Sequence, residues 1–280
     1  MNKALAIFEL MRLDKPIGIY LLLWPALLAL VISTNGDFEY ADLLIVIAGS
    51  ILVRSAGCVI NDIWDKDLDG GVERTKTRPI PSKKLSISES WTVFAILGVL
   101  SLMLLSLTNT NTIYVSICFG LMIVIYPLTK RFFIGPQIFL GLTFNPTIII
   151  YAMTNELNNP TMIFLYFAIA AKTIAFDSFY GLCDIDDDKK LGINSTPLWW
   201  GSKTLLIIAI IQLTVISLLF IVGLKAGLSF AWYIGIILLS GFYFYQHWLA
   251  SQKNFLLAFK NNHLASLYLL MLSGFCFLII

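Results

Sequence analysis

Long apolar runs recur along the whole chain and constrain its fold more than any other feature of the sequence. Crossing the hydrocarbon core of a bilayer takes about 20 helical residues, within a range of roughly 17–25. Nine runs approach or reach that length: 17–34, 43–60, 91–107, 113–128, 136–154, 161–176, 204–223, 229–246 and 264–280. We therefore predict an all-α fold, a polytopic membrane bundle of about nine transmembrane helices in a single domain over residues 1–280.

The composition agrees with a bilayer environment and disfavours other classes of protein. Only 13% of the residues are charged, whereas a soluble domain carries about a quarter. The net charge of +2 is too small to indicate a nucleic-acid partner. The 4 cysteines lack CxxC spacing and the 2 histidines lie far from the acidic clusters, so a zinc site is not favoured.

Lysine and arginine residues are distributed unevenly between alternate loops. If the N-terminus is cytoplasmic and the nine runs span the membrane, 16 cations lie on the cytoplasmic side and one, Lys225, lies outside. Positive residues favour cytoplasmic loops. The sequence therefore predicts a cytoplasmic N-terminus, with the C-terminus on the opposite face.

The acidic residues are concentrated in two short windows on that cytoplasmic side. Ten of the 17 lie within 61–73 and 177–188, and both aspartates of the pair Asp65 and Asp69 recur 119 residues later as Asp184 and Asp188. Carboxylates four residues apart repel one another on a helix, so their repetition suggests that something offsets the repulsion. Mg²⁺ fits, because it is commonly held by one or two carboxylates together with substrate phosphates.

Helix geometry adds a third oxygen ligand to the first window. If the second span continues as a helix, Asn61, Asp65 and Asp69 lie on one face at successive four-residue intervals, and Gly70 and Gly71 then end the helix. Four other acidic residues of the two windows are expected to be solvated. These are Asp62, Asp67, Asp186 and Asp187.

Cations accompany both windows and are natural partners of a diphosphate. The candidates are Arg74, Arg78, Lys130, Arg131 and Lys189. Any single one of them is better explained by membrane topology than by catalysis. Acids for Mg²⁺ and bases for phosphate, at one face of an apolar bundle, together indicate a site for a lipid diphosphate.

Two further cations fall inside spans. A charge within a span is costly and is a functional-site hypothesis by default. Arg54 lies seven residues before Asn61, about two helical turns, and so on the same face. Lys172 is off the face of Asp177, and a snorkelling or structural role is an equal alternative for it.

Four stretches resemble signatures of the UbiA superfamily of intramembrane aromatic prenyltransferases. "NDIWDKDLDGGVERTKTRP" from Asn61 is similar to the first signature, NDxxDxxxD followed by RTxxRP, and "DSFYGLCDIDDDKKLGINSTPLWWG" from Asp177 is similar to the second. "RLDKPIGIYLLLWPALLAL" from Arg12 and "YPLTKRFFIGPQIFLGLTFN" from Tyr126 resemble signatures of the 4-hydroxybenzoate polyprenyltransferase branch. The resemblance covers most of residues 12–201.

The sequence departs from the family pattern at two places. Pro146 and Thr147 stand where branch members usually have Trp-Gly or another glycine, and Pro197 stands where the family often has alanine. Pro146 predicts a kink in the fifth span.

The resemblance implies a nine-helix bundle in a bacterial inner membrane, with a central cavity capped by cytoplasmic loops. It implies Mg²⁺-dependent transfer of a polyprenyl group from polyprenyl diphosphate to the ring of 4-hydroxybenzoate, in ubiquinone synthesis. The implied ligands of Mg²⁺ are Asn61, Asp65, Asp69, Asp184 and Asp188.

Other roles follow from the same resemblance. The four aspartates of the two pairs are expected to be catalytic, together with Tyr126 and Asp177. The ring of Tyr126 would stabilise an allylic cation, with a tyrosine of the membrane-interface belt as the alternative, and Asp177 would orient a group or take the proton. The expected substrate-binding residues are Arg54, Arg74, Arg78, Lys130, Arg131, Tyr180 and Lys189. Among these, Arg54 and Arg131 are the alternatives for the carboxylate of the acceptor.

Two other functions remain open on the sequence. One is a different member of the superfamily, such as haem O synthase or menaquinone prenyltransferase, although the second signature favours the hydroxybenzoate branch. The other is a membrane transporter, because repeated halves with charges near the midplane occur in transporters. The position of most charges in the loops disfavours the transporter.

Overall fold

The computed structural model describes residues 3–71 and 74–278. These residues form helices, turns and loops and contain no β-strand, which confirms the all-α prediction. Their α-helices are α1 (Lys3–Leu10), α2 (Ile17–Ser33), α3 (Tyr40–Trp64), α4 (Ile87–Leu105), α5 (Thr110–Thr129), α6 (Pro136–Thr143), α7 (Thr147–Met153), α8 (Thr161–Gly181), α9 (Ile185–Leu191), α10 (Thr196–Trp200), α11 (Thr204–Lys225), α12 (Phe230–Ser251) and α13 (Phe255–Leu278).

Each of the nine apolar runs is helical over most of its described length. By length and composition, six helical segments of the described chain are able to cross a membrane. They are Tyr40–Trp64, Ile87–Leu105, Thr110–Thr129, Pro136–Met153, Thr161–Gly181 and Thr196–Lys225. The apolar helix α2 is shorter, and α12 and α13 are long but carry several polar residues. The count of nine spans therefore stays a prediction.

The fifth run is not one kinked helix but two short helices, α6 and α7, separated at Phe144–Pro146. Pro146 has no amide hydrogen and cannot continue the helix. The side-chain amide of Asn145 donates to the carbonyl of Tyr166 at 2.8 Å, and its oxygen accepts from the amide of Thr147 at 3.2 Å. The Tyr166 hydroxyl donates to the carbonyl of Leu142 at 2.9 Å. The side chain of Asn145 and the hydroxyl of Tyr166 are thus paired within the protein beside the break.

The predicted helical continuation through Asp69 is wrong, because α3 ends at Trp64. A turn and a short 3₁₀ helix at Asp69–Gly71 follow it. The amide of Asp65 nevertheless donates to the carbonyl of Asn61 at 2.9 Å, and the amide of Asp69 donates to that of Asp65 at 2.8 Å. Asn61, Asp65 and Asp69 are therefore still linked by hydrogen bonds at four-residue intervals, although the last of these bonds lies in a turn and not in α3.

The bundle packs around an apolar core to which α2, α7, α8, α11, α12 and α13 contribute. Trp232 and Tyr151 are fully buried there. Lys172 of α8 is also buried, and its ammonium donates to the Ser266 hydroxyl at 2.6 Å and to the Asn262 carbonyl at 3.1 Å. Lys172 therefore does not snorkel to the surface. It ties α8 to α13.

A smaller apolar cluster docks the N-terminal helix against α3. Ala6 and Leu10 of α1 pack with Val59 and Ile63 of α3. Leu10 is fully buried, and burial of a leucine side chain contributes about 1.5–3 kcal/mol. The docked helix carries the chain to Arg12, whose contacts lie beside the candidate site.

Candidate active site

A cavity of about 170 Å³ lies where the C-terminal ends of α3, α5 and α8 meet, beside the start of α6. Eleven of the fourteen residues predicted for the site line it. They are Asn61, Asp65, Asp69, Arg74, Arg78, Tyr126, Lys130, Asp177, Tyr180, Asp184 and Asp188. The fold thus brings the two acidic windows together, and the roles of the individual residues stay predictions.

Three of the cavity's carboxylates are paired with three of its cations. Lys130 donates to Asp65, and Arg78 donates to Asp69 at 2.8 Å. Arg74, which follows the first acidic window, reaches Asp184 of the second with two hydrogen bonds of 3.0 and 2.5 Å. These pairs hold three separate segments of the chain around one volume.

An aromatic side chain completes the contacts of Arg74. The guanidinium carbon lies 4.5 Å from the centre of the Tyr180 ring. A cation over an aromatic face is attracted by the ring quadrupole and contributes about 0.5–2 kcal/mol. Tyr180 is one turn before Asp184, so both partners of Arg74 come from the same stretch of chain.

Burial changes the acidity of two of the cavity's carboxyl groups. It raises the pKa of Asp65 above its usual value, although the charge of Lys130 acts in the opposite direction. Burial and the neighbouring charge of Asp184 raise the pKa of Asp188 to about 6. In both cases the ionised form lacks the solvation that it has in water.

The donor set suits a hard divalent cation, although no group of three or more His, Cys, Asp or Glu side chains is drawn together to hold one in the described parts of the chain. The carboxylates are instead separated by the cations that pair with them. The Oδ1 atom of Asp65 is buried and has no hydrogen-bond partner. A free buried carboxylate oxygen beside amide and carboxylate oxygens is the kind of site that Mg²⁺ takes.

Three predicted site residues lie outside the cavity lining: Arg54, Arg131 and Lys189. Lys189 is exposed on α9. Arg131 is exposed and donates to the carbonyl of Trp64 at 2.5 Å. Arg54 lies 5.4 Å from the centre of the Phe144 ring, and its Nε is buried without a hydrogen-bond partner.

The structure also adds residues that the sequence did not indicate. Asp62 is 1% exposed, so the prediction that it is solvated is wrong; it binds two arginines instead. Thr75 and Gln137 line the cavity. The Gln137 side-chain oxygen accepts from the amide of Thr196 at 2.8 Å. The sequence could have pointed to Gln137 only through its position in the family-like stretch that starts at Tyr126.

Comparison with known proteins places these features in a family. A sequence model described as the UbiA prenyltransferase family matches residues 22–272. The 4-hydroxybenzoate octaprenyltransferase of Aliivibrio fischeri (strain ATCC 700601 / ES114) is 39% identical over 279 residues, which cover 98% of this chain and 98% of that protein.

Solved structures show the same fold. The apo structure of a UbiA homolog from Aeropyrum pernix K1 superposes with a TM-score of 0.80 at 21% identity, covering 93% of this chain and 97% of that one. A UbiA homolog from Archaeoglobus fulgidus, bound to GPP and Mg²⁺, gives a TM-score of 0.75 at 16% identity, covering 98% of this chain and 100% of the other.

Proposed function

This chain belongs to the UbiA prenyltransferase family, and from that membership we propose that it transfers a polyprenyl group from polyprenyl diphosphate to the ring of 4-hydroxybenzoate. It is an integral membrane protein, and the reaction belongs to ubiquinone synthesis. The observation that carries the proposal is the identity of 39% to a 4-hydroxybenzoate octaprenyltransferase over 98% of both chains. The cavity contributes the chemistry that such a reaction needs.

Three cations of the cavity bind the diphosphate of the donor. Arg74, Arg78 and Lys130 approach the cavity from different segments of the chain, so they are able to surround a polyanion. Each is held by a carboxylate of the cavity. Binding therefore exchanges a carboxylate partner for a phosphate partner, and the cations are already in place.

Mg²⁺ is held by oxygens of Asn61, Asp65, Asp69, Asp184 and Asp188, which all line the cavity. The support is the oxygen-rich donor set and the unpartnered buried oxygen of Asp65. When bound, Mg²⁺ neutralises negative charge on the diphosphate and so favours its departure. The carboxylates would lose their cationic partners to a bound diphosphate, and a divalent cation held by them would restore the balance of charge.

The transfer breaks one bond and forms one bond. The allylic C1–O bond breaks, and the diphosphate leaves with the electron pair, its charge stabilised by Arg74, Arg78 and Lys130. The ring face of Tyr126 stabilises the allylic cation. The acceptor carbon ortho to the phenol forms the new C–C bond, and the ring proton is then lost, with Asp177 as the acceptor. Exclusion of water from the site is needed during this step, because water would otherwise capture the cation.

Arg54 binds the carboxylate of the acceptor. Its Nε is buried without a partner, whereas Arg131 is exposed and is engaged by the carbonyl of Trp64. Arg54 is also close enough to Asp177 to interact with its charge. The geometry therefore favours Arg54 over Arg131, the two residues between which the sequence alone does not decide.

We expect Arg54→Gln to raise KM for 4-hydroxybenzoate and to leave KM for the prenyl diphosphate nearly unchanged. A hydrogen bond to a charged group contributes about 1.5–3 kcal/mol, so the increase should be about tenfold or more. Steady-state kinetics with each substrate varied in turn will measure it. Arg131→Gln is the matched control and should stay near wild type; equal losses in both variants would contradict the assignment.

We expect Arg78→Lys to lose much of kcat/KM, because lysine does not reproduce the planar fork that a guanidinium offers to phosphate. The cost should be about 1.5–3 kcal/mol. The double variant Lys83→Gln, Lys84→Gln removes two charges from the same loop, outside the cavity lining, and should stay near wild type. If Arg78→Lys is unimpaired in the same assay, the cation cluster is better explained by topology.

The cavity loops and the N-terminus lie on the cytoplasmic side, and the C-terminus lies on the other. The support is the 16-to-1 division of cations between alternate loops. Reporter fusions at the two ends should therefore report opposite sides of a bacterial inner membrane. Fusions that report the same side would show that nine spans is the wrong number.

Mass spectrometry of the products tests the proposed function directly. The purified protein is incubated with Mg²⁺, a polyprenyl diphosphate and a set of aromatic acids. We expect a product with the mass of 4-hydroxybenzoate plus the prenyl group minus one hydrogen. A product formed only from another acceptor would move the chain to a different branch of the family, and the absence of any prenylated product would contradict the proposal.

A further inference from the structure

We propose that Asp62 and Arg12 are positioning residues, which hold the guanidinium of Arg78 at the edge of the cavity for the diphosphate of the donor. Neither Asp62 nor Arg12 lines the cavity, and their charged groups are paired with each other, so neither is placed to touch a substrate there. The inference rests on the proposed function, because it assigns a task to a residue that the proposed function already uses.

A continuous chain of charges leads from the N-terminal segment into the cavity. Arg12 Nη2 donates to both carboxylate oxygens of Asp62, at 2.8 and 2.7 Å. Arg78 Nη1 donates to Asp62 Oδ1 at 3.0 Å and to Asp69 Oδ2 at 2.8 Å. The order is therefore Arg12, Asp62, Arg78, Asp69, and only the last two members line the cavity.

Stability alone is a weak reason for such an arrangement. Asp62 is 1% exposed, and taking a carboxylate out of water costs several kcal/mol, which its partners offset only when the geometry is good. Apolar residues of similar volume often serve stability as well as a buried ion pair does. What an apolar replacement does not provide is a fixed position for the guanidinium of Arg78.

Asp62 remains available to Arg78 when the site is loaded. Asp69 is one of the proposed ligands of Mg²⁺, so in the loaded site its carboxylate is shared between Mg²⁺ and Arg78. Asp62 faces Arg12 and Arg78 and is not among those ligands. It is therefore the carboxylate that keeps Arg78 in place while the other N–H groups of the guanidinium face the diphosphate.

The N-terminal segment holds Arg12 in a defined position. Arg12 has a φ of 57°, in the left-handed region that residues other than glycine adopt at a cost and keep only when their surroundings fix them. Its Nη1 donates to the carbonyl of Glu9 at 2.9 Å. The packing of Leu10 and Ala6 against α3 fixes the residues just before it.

Removing either positioning residue should displace Arg78 in a predictable way. Without the charge of Asp62, Asp69 is the one carboxylate in this chain of charges that still contacts Arg78. The guanidinium of Arg78 should therefore move toward Asp69. Without Arg12, the carboxylate of Asp62 attracts Arg78 alone and draws it away from the cavity. Both changes should weaken binding of a diphosphate, and neither alters the site assigned to the acceptor.

Direct binding tests this with geranyl thiolodiphosphate, an analogue in which sulfur replaces the bridging oxygen, in the presence of Mg²⁺. We expect Asp62→Asn to raise Kd by about tenfold or more, the loss typical of a charged hydrogen bond. Arg12→Gln should raise Kd in the same direction by less, because Arg12 is partly exposed. In turnover, KM for 4-hydroxybenzoate should remain near that of the wild type in both variants.

Glu9→Gln is the matched control. Glu9 lies on α1, just before Arg12, and pairs at 2.8 Å with Lys84, which is in the same loop as Arg78 and outside the cavity lining. It should bind the analogue as the wild type does. If Glu9→Gln loses as much affinity as Arg12→Gln, docking of the N-terminal segment is enough to explain the loss of affinity. The positioning role is then overturned.

The remaining outcomes separate this inference from the proposed function. Wild-type affinity in both Asp62→Asn and Arg12→Gln overturns the positioning role and leaves the proposed function intact. If Asp62→Asn does not insert into the membrane, Arg12→Gln decides the question by itself. A wild-type protein that neither forms product nor binds the analogue overturns both.

Discussion

Asp184→Ala and Asp65→Ala are each expected to abolish prenyl transfer while the protein still inserts and folds. Both carboxylates line the cavity, and each pairs with a cation from a distant segment of the chain. A hydrogen bond to a charged group contributes about 1.5–3 kcal/mol, which corresponds to roughly tenfold to a hundredfold or more in affinity. Loss of a metal ligand adds to that cost, because Mg²⁺ is held by few side chains.

The matched control for Asp184→Ala is Asp187→Ala. Asp187 lies three residues later on the short helix α9, and it pairs only weakly with the exposed Lys190, at 3.5 Å. We expect Asp187→Ala to keep near wild-type kcat/KM. Turnover is measured on purified variants whose insertion has been checked by size-exclusion chromatography in detergent. Wild-type turnover in Asp184→Ala or in Asp65→Ala would rule out a shared site between the two loops.

Chelation of divalent metal is expected to abolish turnover, and added Mg²⁺ is expected to restore it. The cations of the cavity are paired with its carboxylates, so a diphosphate that binds alone takes these cations and leaves the negative charge of the carboxylates uncompensated. At about 4 Å, two unit charges repel by roughly 4 kcal/mol at the effective dielectric of a protein surface. Several such repulsions prevent productive binding unless a divalent cation enters with the substrate.

The measurement compares product formation in EDTA, in EDTA followed by excess Mg²⁺, and in buffer with Mg²⁺ alone. Size-exclusion profiles taken in EDTA show whether the fold survives removal of the metal, which separates loss of chemistry from loss of structure. Undiminished transfer in EDTA would contradict the assignment of the two aspartate pairs as metal ligands.

Much of the fold could be predicted because membrane helices are specified by local sequence. An apolar run of sufficient length forms a helix whatever its neighbours are, since the bilayer leaves its backbone no other partner. The break at Asn145 and Pro146 was harder to predict, because a proline within a span is compatible with either a kink or a full stop. The contacts of Asn145 with Tyr166, on a different helix, settle it as a stop.

The content of the candidate site could be predicted better than its internal pairing. Spacing and repetition brought Asp65 and Asp184 into one hypothesis, and the fold places both on one cavity. Nothing local indicated that Arg74 pairs across 110 residues with Asp184, or that Asp62 is buried. Such partners are set by the packing of distant segments, and one sequence carries no record of that packing.

The broken segment α6–α7 has a consequence for how the cavity opens. Gly141 of α6 lies so close to α8 that a β-carbon there would stand 2.7 Å from the carbonyl oxygen of Ala170. Hydrogen bonds from Asn145 and from Tyr166 join the same two elements beside the break. Separating α6 from α8 would therefore break several contacts at once and expose polar backbone to lipid, so that wall of the cavity moves as a unit.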